Sequence, residues 1–405
     1  MRLHSAEEMD MSTKKRVNVL EYAGNTVNSY LGKGKLLPEY SVVNVSMANP
    51  YGVLFAKYSK ALEKYFACAS DYIAVSGDGE KFITYSLYGD GLPFLVEDCS
   101  DGNGRAAVIC GNKATVFSNS KETRKDLKYS LSCGVMHCGR LFGADGYTLR
   151  WSGAEGFEDW DEGMHGSGYL KLDAERGKVH NLIIYGGKLV AVREYGLTVF
   201  GMYGAPENFS VSGTNSDCDY ICKDTACVVG GKIYFYSDSG LKSFDGNKIS
   251  PIALRHGMVN LKNAVEYGGK YFIAGESEEL ERNIILCVDT DGESCIIDTP
   301  ADVLFVKNGV RFFNSKGQYR LKRGGIFNFE SRAIDFGTDR FKTITEIKVA
   351  GRAKICVKGE NFNRDFQIKN GTVNPHMRGK KFIITAQGNE EISEISVTAE
   401  VTDAV

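Results

Sequence analysis

Five carboxylates crowd one tryptophan in a single short stretch: Glu155, Glu158, Asp159, Asp161 and Glu162 surround Trp160. Paired carboxylates beside an aromatic ring suit glycoside hydrolysis, in which one acid protonates the leaving oxygen and the other acts as base or nucleophile. The competing reading is a solvated loop between strands, with Trp160 anchoring it, because a charge run usually solvates a face. No partner carboxylate elsewhere can be assigned from sequence, so the loop reading is preferred. A carbohydrate-binding or glycosidase-like use of Trp160 is kept as the alternative.

Other chemistry-bearing patterns are weaker. Ser237-Asp238-Ser239-Gly240 resembles part of an Asp box, but its Asp falls one place early and the pattern occurs once. Asp289 to Glu293 resembles half of a calcium loop without the distal bidentate Glu, and its Asp-Gly suits a tight turn. The six histidines, His4, His137, His165, His180, His256 and His376, show no metal-ligand spacing, and the eleven cysteines lack paired C-x2-C spacing. There is no nucleophile elbow, Walker loop or dinucleotide fingerprint. The expectation is a protein without catalytic residues, cofactor or metal, with reduced thiols.

Charge excludes a global pull onto nucleic acid or an anionic membrane: 49 Lys plus Arg stand against 51 Asp plus Glu. Basic residues cluster locally at Lys14-Lys15-Arg16, at Lys121, Arg124, Lys125 and Lys128, and at Arg378, Lys380 and Lys381. Acids stand close by and no aromatic interleaving is visible, so docking onto an acidic protein surface is favoured over DNA contact. The first and third groups, with Trp160, are the candidate docking residues. The start of the sequence lacks the apolar stretch of a secretory signal, and no apolar run approaches the ~20 residues that span a bilayer. Retention in the cytosol, or release from it by lysis, is the expectation, with no membrane insertion.

The elements that carry these residues repeat. An apolar strand, a Gly turn followed by Lys or Arg, a second apolar strand and another Gly or Asn turn recur in AAVICGNKATVFSN, VMHCGRLFGADGYTLRW, LIIYGGKLVAVREYGLTVF, ACVVGGKIYFYSDSGLKSFDG, AVEYGGKYFIAG and VLFVKNGVRFFNSKGQYRL, with a looser copy from Asp71. The mean spacing of ~38 residues is that of a four-stranded propeller blade. Gly-Gly, Asp-Gly and Asn-Gly supply the positive φ of tight hairpins, and Val, Ile, Tyr and Phe suit half-buried strands. An all-β fold with six or seven blades follows, with an inserted loop at about 151–167. Between Leu54 and Phe66 strand and helix are both open. The propeller is placed at 51–325, a small C-terminal β-sandwich at 326–405, and a polar docking arm at 1–50 that orders on assembly.

At Gly139-Arg140-Leu141-Phe142, then Trp151-Ser152, then Gly156 to Trp160, the chain resembles the propeller-containing virion proteins of tailed bacteriophages and prophages of Gram-positive hosts, with Phe142 at the family's usual Trp. Arg193-Glu194, the turn Gly204, Pro206 and Phe209, and the strand Tyr234 to Gly246 extend the resemblance over about 135–300. Packaged-DNA stabilisation proteins at the head–tail junction are more distantly similar. The resemblance implies a non-enzymatic assembly protein of the tail or head–tail region, located in the virion after assembly in the host cytoplasm. Its implied partners are tail tube, connector or baseplate components and further copies of itself. A host-encoded cytosolic interaction scaffold is the third reading.

Overall fold

The computed structural model describes residues 13–27, 29–32, 35–46, 50–98, 104–118, 121–154, 156–160, 166–215, 218–254 and 256–401. They form two compact units: Val42–Ser294 with Thr299–Leu321, and Met1–Ser41 with Cys295–Asp298 and Lys322–Val405. Nearly all regular structure is strand, broken by single 3-10 turns at Val19–Tyr22 and Pro206–Asn208.

The first unit is a propeller of seven blades. Four-stranded meanders begin at Phe55–Ser59, Cys133–His137, Val179–Tyr185 and Cys227–Val229, and a three-stranded one at Phe94–Asp98. The sixth is built on Ala264–Tyr267 and Lys270–Ser277. The seventh runs Val303–Val306, Val310–Asn314 and Gly317–Arg323, and its outer strand is supplied by Tyr40–Ser46 from the start of the chain. One sheet thus joins both ends of the propeller sequence, and Val303, Phe305 and Phe313 of blade 7 pack with Val53, Ala56 and Tyr65 of blade 1 to close the ring.

Strand period explains how blades stack. Lys188–Arg193 reads KLVAVR and is buried from Leu189 onward. Leu189 and Ala191 face a cluster with Phe142 and Leu149 of blade 3, while Val190 and Val192 face Ile233 and Phe235 of blade 5. Alternate side chains point to opposite faces, so a middle strand covered on both sides is apolar throughout. Hairpin chemistry repeats as well: Gly186-Gly187, Gly230-Gly231, Gly268-Gly269 and Cys138-Gly139 all have positive φ at both positions, as a two-residue type I′ turn requires.

The structure decides one point that the sequence leaves open and departs from the sequence reading at another. Leu54 to Phe66 is a hairpin, Phe55–Ser59 with Lys64–Cys68, rather than a helix. Gly111 is a bulge inside one 13-residue strand, Arg105–Phe117, and not a hairpin turn. The inserted loop lies between Thr148–Trp151 and Gly168–Lys171, as expected.

The second unit is a sheet curled onto itself around Lys342–Gly359, an 18-residue strand. Its first half pairs with Glu394–Val401 and its second with Ile383–Gly388, while Phe362–Val373 follows the opposite edge. The bend lies at Gly351, where φ is +132° and a Cβ would sit 2.6 Å from the Glu391 carbonyl. Side chains such as Ile347, Ile355, Phe329 and Ile395 fill the fold of the sheet.

The division at residue 50 is not the one the structure draws. Thr13–Asn18 pairs antiparallel with Glu394–Val401, and Val19, Leu20 and Leu36 are buried in the second unit's core. The presumed arm therefore supplies part of that unit and then the outer strand of blade 7. Its apolar residues are too widely spaced to show a period, yet three of them suffice because the sheet they cover is contributed by distant sequence.

Candidate functional site

The first strands of neighbouring blades touch one another and are the innermost. Their starting ends surround a cavity of about 660 Å³ lined from all seven blades, from Gly52 in the first to Asp302 and Val303 in the last. Residues that begin a blade are therefore those that meet at the centre.

One side of the lining is apolar. Leu54 and Leu92, from blades 1 and 2, are each 51% exposed although they are large aliphatic groups, and Phe94 lies beside them. The polar side comes from the segments leading into blades 4 to 6. His180 donates from Nδ1 to the Ile221 carbonyl at 3.1 Å, and its Nε2 lies 3.7 Å from Glu194 Oε1. Burial pushes the imidazole below its ordinary pKa, with Glu194 opposing, so His180 is neutral at pH 7.

Lys223 and Asp224 stand on a stiff loop. Thr225 Oγ1 donates to the Cys222 carbonyl at 2.7 Å and accepts from the Tyr236 N–H at 3.1 Å, and Tyr271 Oη donates to the Thr225 carbonyl at 2.7 Å. The Ala264 N–H donates to the Asp224 carbonyl at 2.9 Å. Asp224 has φ +60°, a left-handed conformation that Asp tolerates better than most residues. Asp224 lines the cavity as an exposed residue, and partial burial of its carboxyl raises the pKa, with Lys223 and His180 opposing. Cys133, also in the lining, is fully buried as a thiol and pushed up to about 12 by burial.

The residues singled out from sequence fall elsewhere. Trp160 is 6% exposed and packs in a T-shape on Tyr129 at 5.6 Å, within the core shared by Ile109, Leu127 and Leu141. It offers no docking surface, because the loop folds back and buries the ring between blades 2 and 3. Glu158 is 3.2 Å from Lys125 Nζ and 3.8 Å from Arg105 Nη1, so this carboxylate is taken up by ion pairs. Glu155, Asp161 and Glu162 lie outside the described residues. Ser237 and Asp289 each close a turn, through a Ser237 hydroxyl bond to Gly240 and an Asp289 carboxylate accepting from the Asp291 N–H.

Lys14 pairs with Glu400 at 3.2 Å and Arg16 with Glu394 at 2.7 Å, while Lys15 Nζ donates to the Phe336 carbonyl at 2.9 Å. Arg378 and Lys380 both lie 5.2 Å from the Phe341 ring centroid. Buried Lys342 donates to the Lys380 carbonyl at 2.6 Å; burial lowers its pKa, and Lys15 and Lys381 act in the same direction. The two basic groups that sequence separates by more than 350 residues thus converge in the second unit. In the propeller, Arg124 and Lys113 stack on Tyr88, an aromatic interleaving that local sequence hides because Tyr88 comes from the preceding linker. Among the described residues no three His, Cys, Asp or Glu side chains converge as a metal-ligand set.

No family model matches the chain, and no curated protein matches it by sequence. Among solved structures, the extracellular domain of BT4673 from B. thetaiotaomicron is similar over 84% of this chain and 47% of its own, at 11% identity and TM-score 0.49. PorZ, a surface component of the type-IX secretion system of Porphyromonas gingivalis, covers 83% and 56% at 10% identity and TM-score 0.48. The Neurospora crassa Pan2 WD40 domain covers 69% and 94% at 8% identity and TM-score 0.44. This chain spans about half the length of the first two.

Proposed function

We propose that this protein is a non-enzymatic structural component of a tailed-phage or prophage particle, in the tail or head–tail region, where it docks neighbouring virion proteins and further copies of itself. The observation that carries the docking role is the edge of the propeller. Ile83, Tyr169 and Val211, on the outermost strands of blades 1, 3 and 4, are 66%, 53% and 51% exposed. Edge strands carry unpaired backbone groups and are natural pairing sites, and a large apolar side chain on each adds area to bury. The virion assignment rests on the motif resemblance from Gly139 to Gly246. Exposed Arg378, Lys380 and Lys381 of the second unit supply a basic docking group for an acidic neighbour.

The carbohydrate alternative loses its aromatic platform with Trp160 buried. Cross-linking mass spectrometry on particles purified from an induced host tests the proposal. Cross-links from the outer strands of blades 1, 3 and 4 to other virion proteins are expected. A protein that stays in the cytosolic fraction while complete particles form without it contradicts the proposal.

A further inference from the structure

We propose that the central cavity of the propeller binds a short zwitterionic peptide with apolar side chains. This inference is independent of the docking role assigned to the blade edges and goes beyond it. A volume of about 660 Å³ lies within the ~300–1,000 Å³ of small-molecule sites.

The lining decides the chemistry. Lys57, from blade 1, is engaged by Glu97 at 3.5 Å. Lys223 and Asp224 make no side-chain hydrogen bond or ion pair with any described residue, and the same holds for Lys262 and Asp302, which lead into the next two blades. His180 is held by Ile221 and Glu194 and is neutral. Two positive and two negative groups thus line the cavity without a hydrogen-bonded partner among the described residues: Asp224, Lys262 and Asp302 are exposed, Lys223 is half-buried, and Lys223 and Asp224 act on each other through charge alone.

A simple anion would answer the lysines and aggravate the aspartates. A simple cation would do the reverse. A neutral apolar molecule would cover Leu54, Leu92 and Phe94 while stripping water from all the charges. A molecule carrying an ammonium for Asp224, a carboxylate for Lys223 and aliphatic side chains for the Leu54–Leu92 wall satisfies each group at once. The loop bearing Lys223 and Asp224 is already fixed by Thr225, Tyr236 and Tyr271, so little ordering cost falls on binding.

The test uses the full chain and leucyl-leucine as probe, by isothermal titration calorimetry. One-to-one binding is expected, weakened at least about tenfold for N-acetyl-leucyl-leucine amide, which lacks both charges, and for glycyl-glycine, which lacks the apolar arms; tenfold is ~1.4 kcal/mol. Asp224→Asn and Lys223→Met should each weaken the probe to a similar degree, with thermal melts confirming that both fold. In the wild-type chain, methyl NMR shifts on adding the dipeptide should concentrate at Leu54 and Leu92, a readout independent of any variant. Absence of binding by the wild type at ~10 mM probe, beyond the weakest ordinary affinities, overturns the proposal. Equal binding of the capped dipeptide, or shifts confined to the outer strands, does so too.

Discussion

Arg193 is completely buried, yet its guanidinium donates to Asp173 Oδ2 at 3.0 Å. The same group donates from Nε and Nη2 to the Gly177 carbonyl at 3.2 and 2.8 Å and from Nη2 to the Asp173 carbonyl. One side chain at the end of a blade-4 strand therefore pins the linker that delivers His180 to the central cavity. Removing it leaves the buried Gly177 carbonyl without this donor, whereas Asp173, 41% exposed, can turn to water. Arg193→Met should cost about 2–4 kcal/mol of stability, read by urea denaturation. A loss below about 0.5 kcal/mol, the ordinary range for surface changes, would show that the clamp is dispensable.

Trp160→Ala and Glu158→Gln separate core from surface in the acidic loop. The tryptophan fills the space between blades 2 and 3, and its truncation should cost about 3–5 kcal/mol. Glu158 is 34% exposed and its ion pairs face solvent, so its neutralisation should cost no more than about 1 kcal/mol. Chemical denaturation of both variants gives the comparison. Equal, small effects would place Trp160 on the surface after all.

Two aspartates give opposite pH signs. Burial raises Asp224's pKa. Its ionisation therefore weighs against the folded state at pH 7, and the penalty disappears as pH falls below the folded value toward the unfolded ~3.9. Asp224→Asn should raise the Tm at pH 7 and leave it unchanged near pH 3.5. Burial also acts to raise Asp219, but hydrogen bonds from Lys242 and Ser239 outweigh it and hold the carboxyl below the usual range. That contribution is present above ~3.9 and is lost as pH falls through the lower folded value, so Asp219→Asn should lower the Tm at pH 7 and much less at pH 2. Differential scanning fluorimetry across this range reads both. The reverse ordering of the two variants contradicts the assignment of burial and charge at these positions.

Strand pairing of Thr13–Asn18 with Glu394–Val401 makes the segment part of the free protein. Hydrogen exchange on the isolated chain should find Arg16 and Val17 amides slowed to the level of neighbouring strands. Deleting residues 1–39 should unfold the second unit, because it removes Val19, Leu20 and Leu36 from the core and breaks the paired bonds of Leu36 with Ile392 at 2.9 Å each. Rapid exchange through 13–18 would restore the view of an arm ordered only by assembly.

The propeller was legible because its signals are local: the Gly-Gly pairs at 186, 230 and 268 mark hairpins, and the apolar runs between them mark strands covered on both faces. Ring closure was not, since Tyr40–Ser46 joins blade 7 across some 270 residues of chain and carries no turn signal of its own. Phe362–Val373 carries little strand signal in sequence because it is mostly exposed, so its alternation has little apolar contrast. The cavity was illegible for a related reason. Leu54, Leu92, His180 and the adjacent pair Lys223-Asp224 begin four different blades, with no motif spacing between them, and the ring alone brings them together. Trp160 drew notice because it is rare and ringed by acids, both of which describe its sequence neighbours rather than the blades that enclose it.

The central functional claim is most directly tested by building particles with the chain altered at its exposed blade edges. Ile83→Lys, Tyr169→Lys and Val211→Lys combined replace three solvent-facing apolar groups and should leave the fold stable, since surface changes of this kind usually stay within about 0.5 kcal/mol each. Quantitative mass spectrometry of purified particles should find the wild-type chain at a fixed, symmetry-related copy number and the triple variant depleted at least about tenfold, ~1.4 kcal/mol in docking free energy. Equal incorporation of the folded variant, or no incorporation of the wild type, contradicts the account.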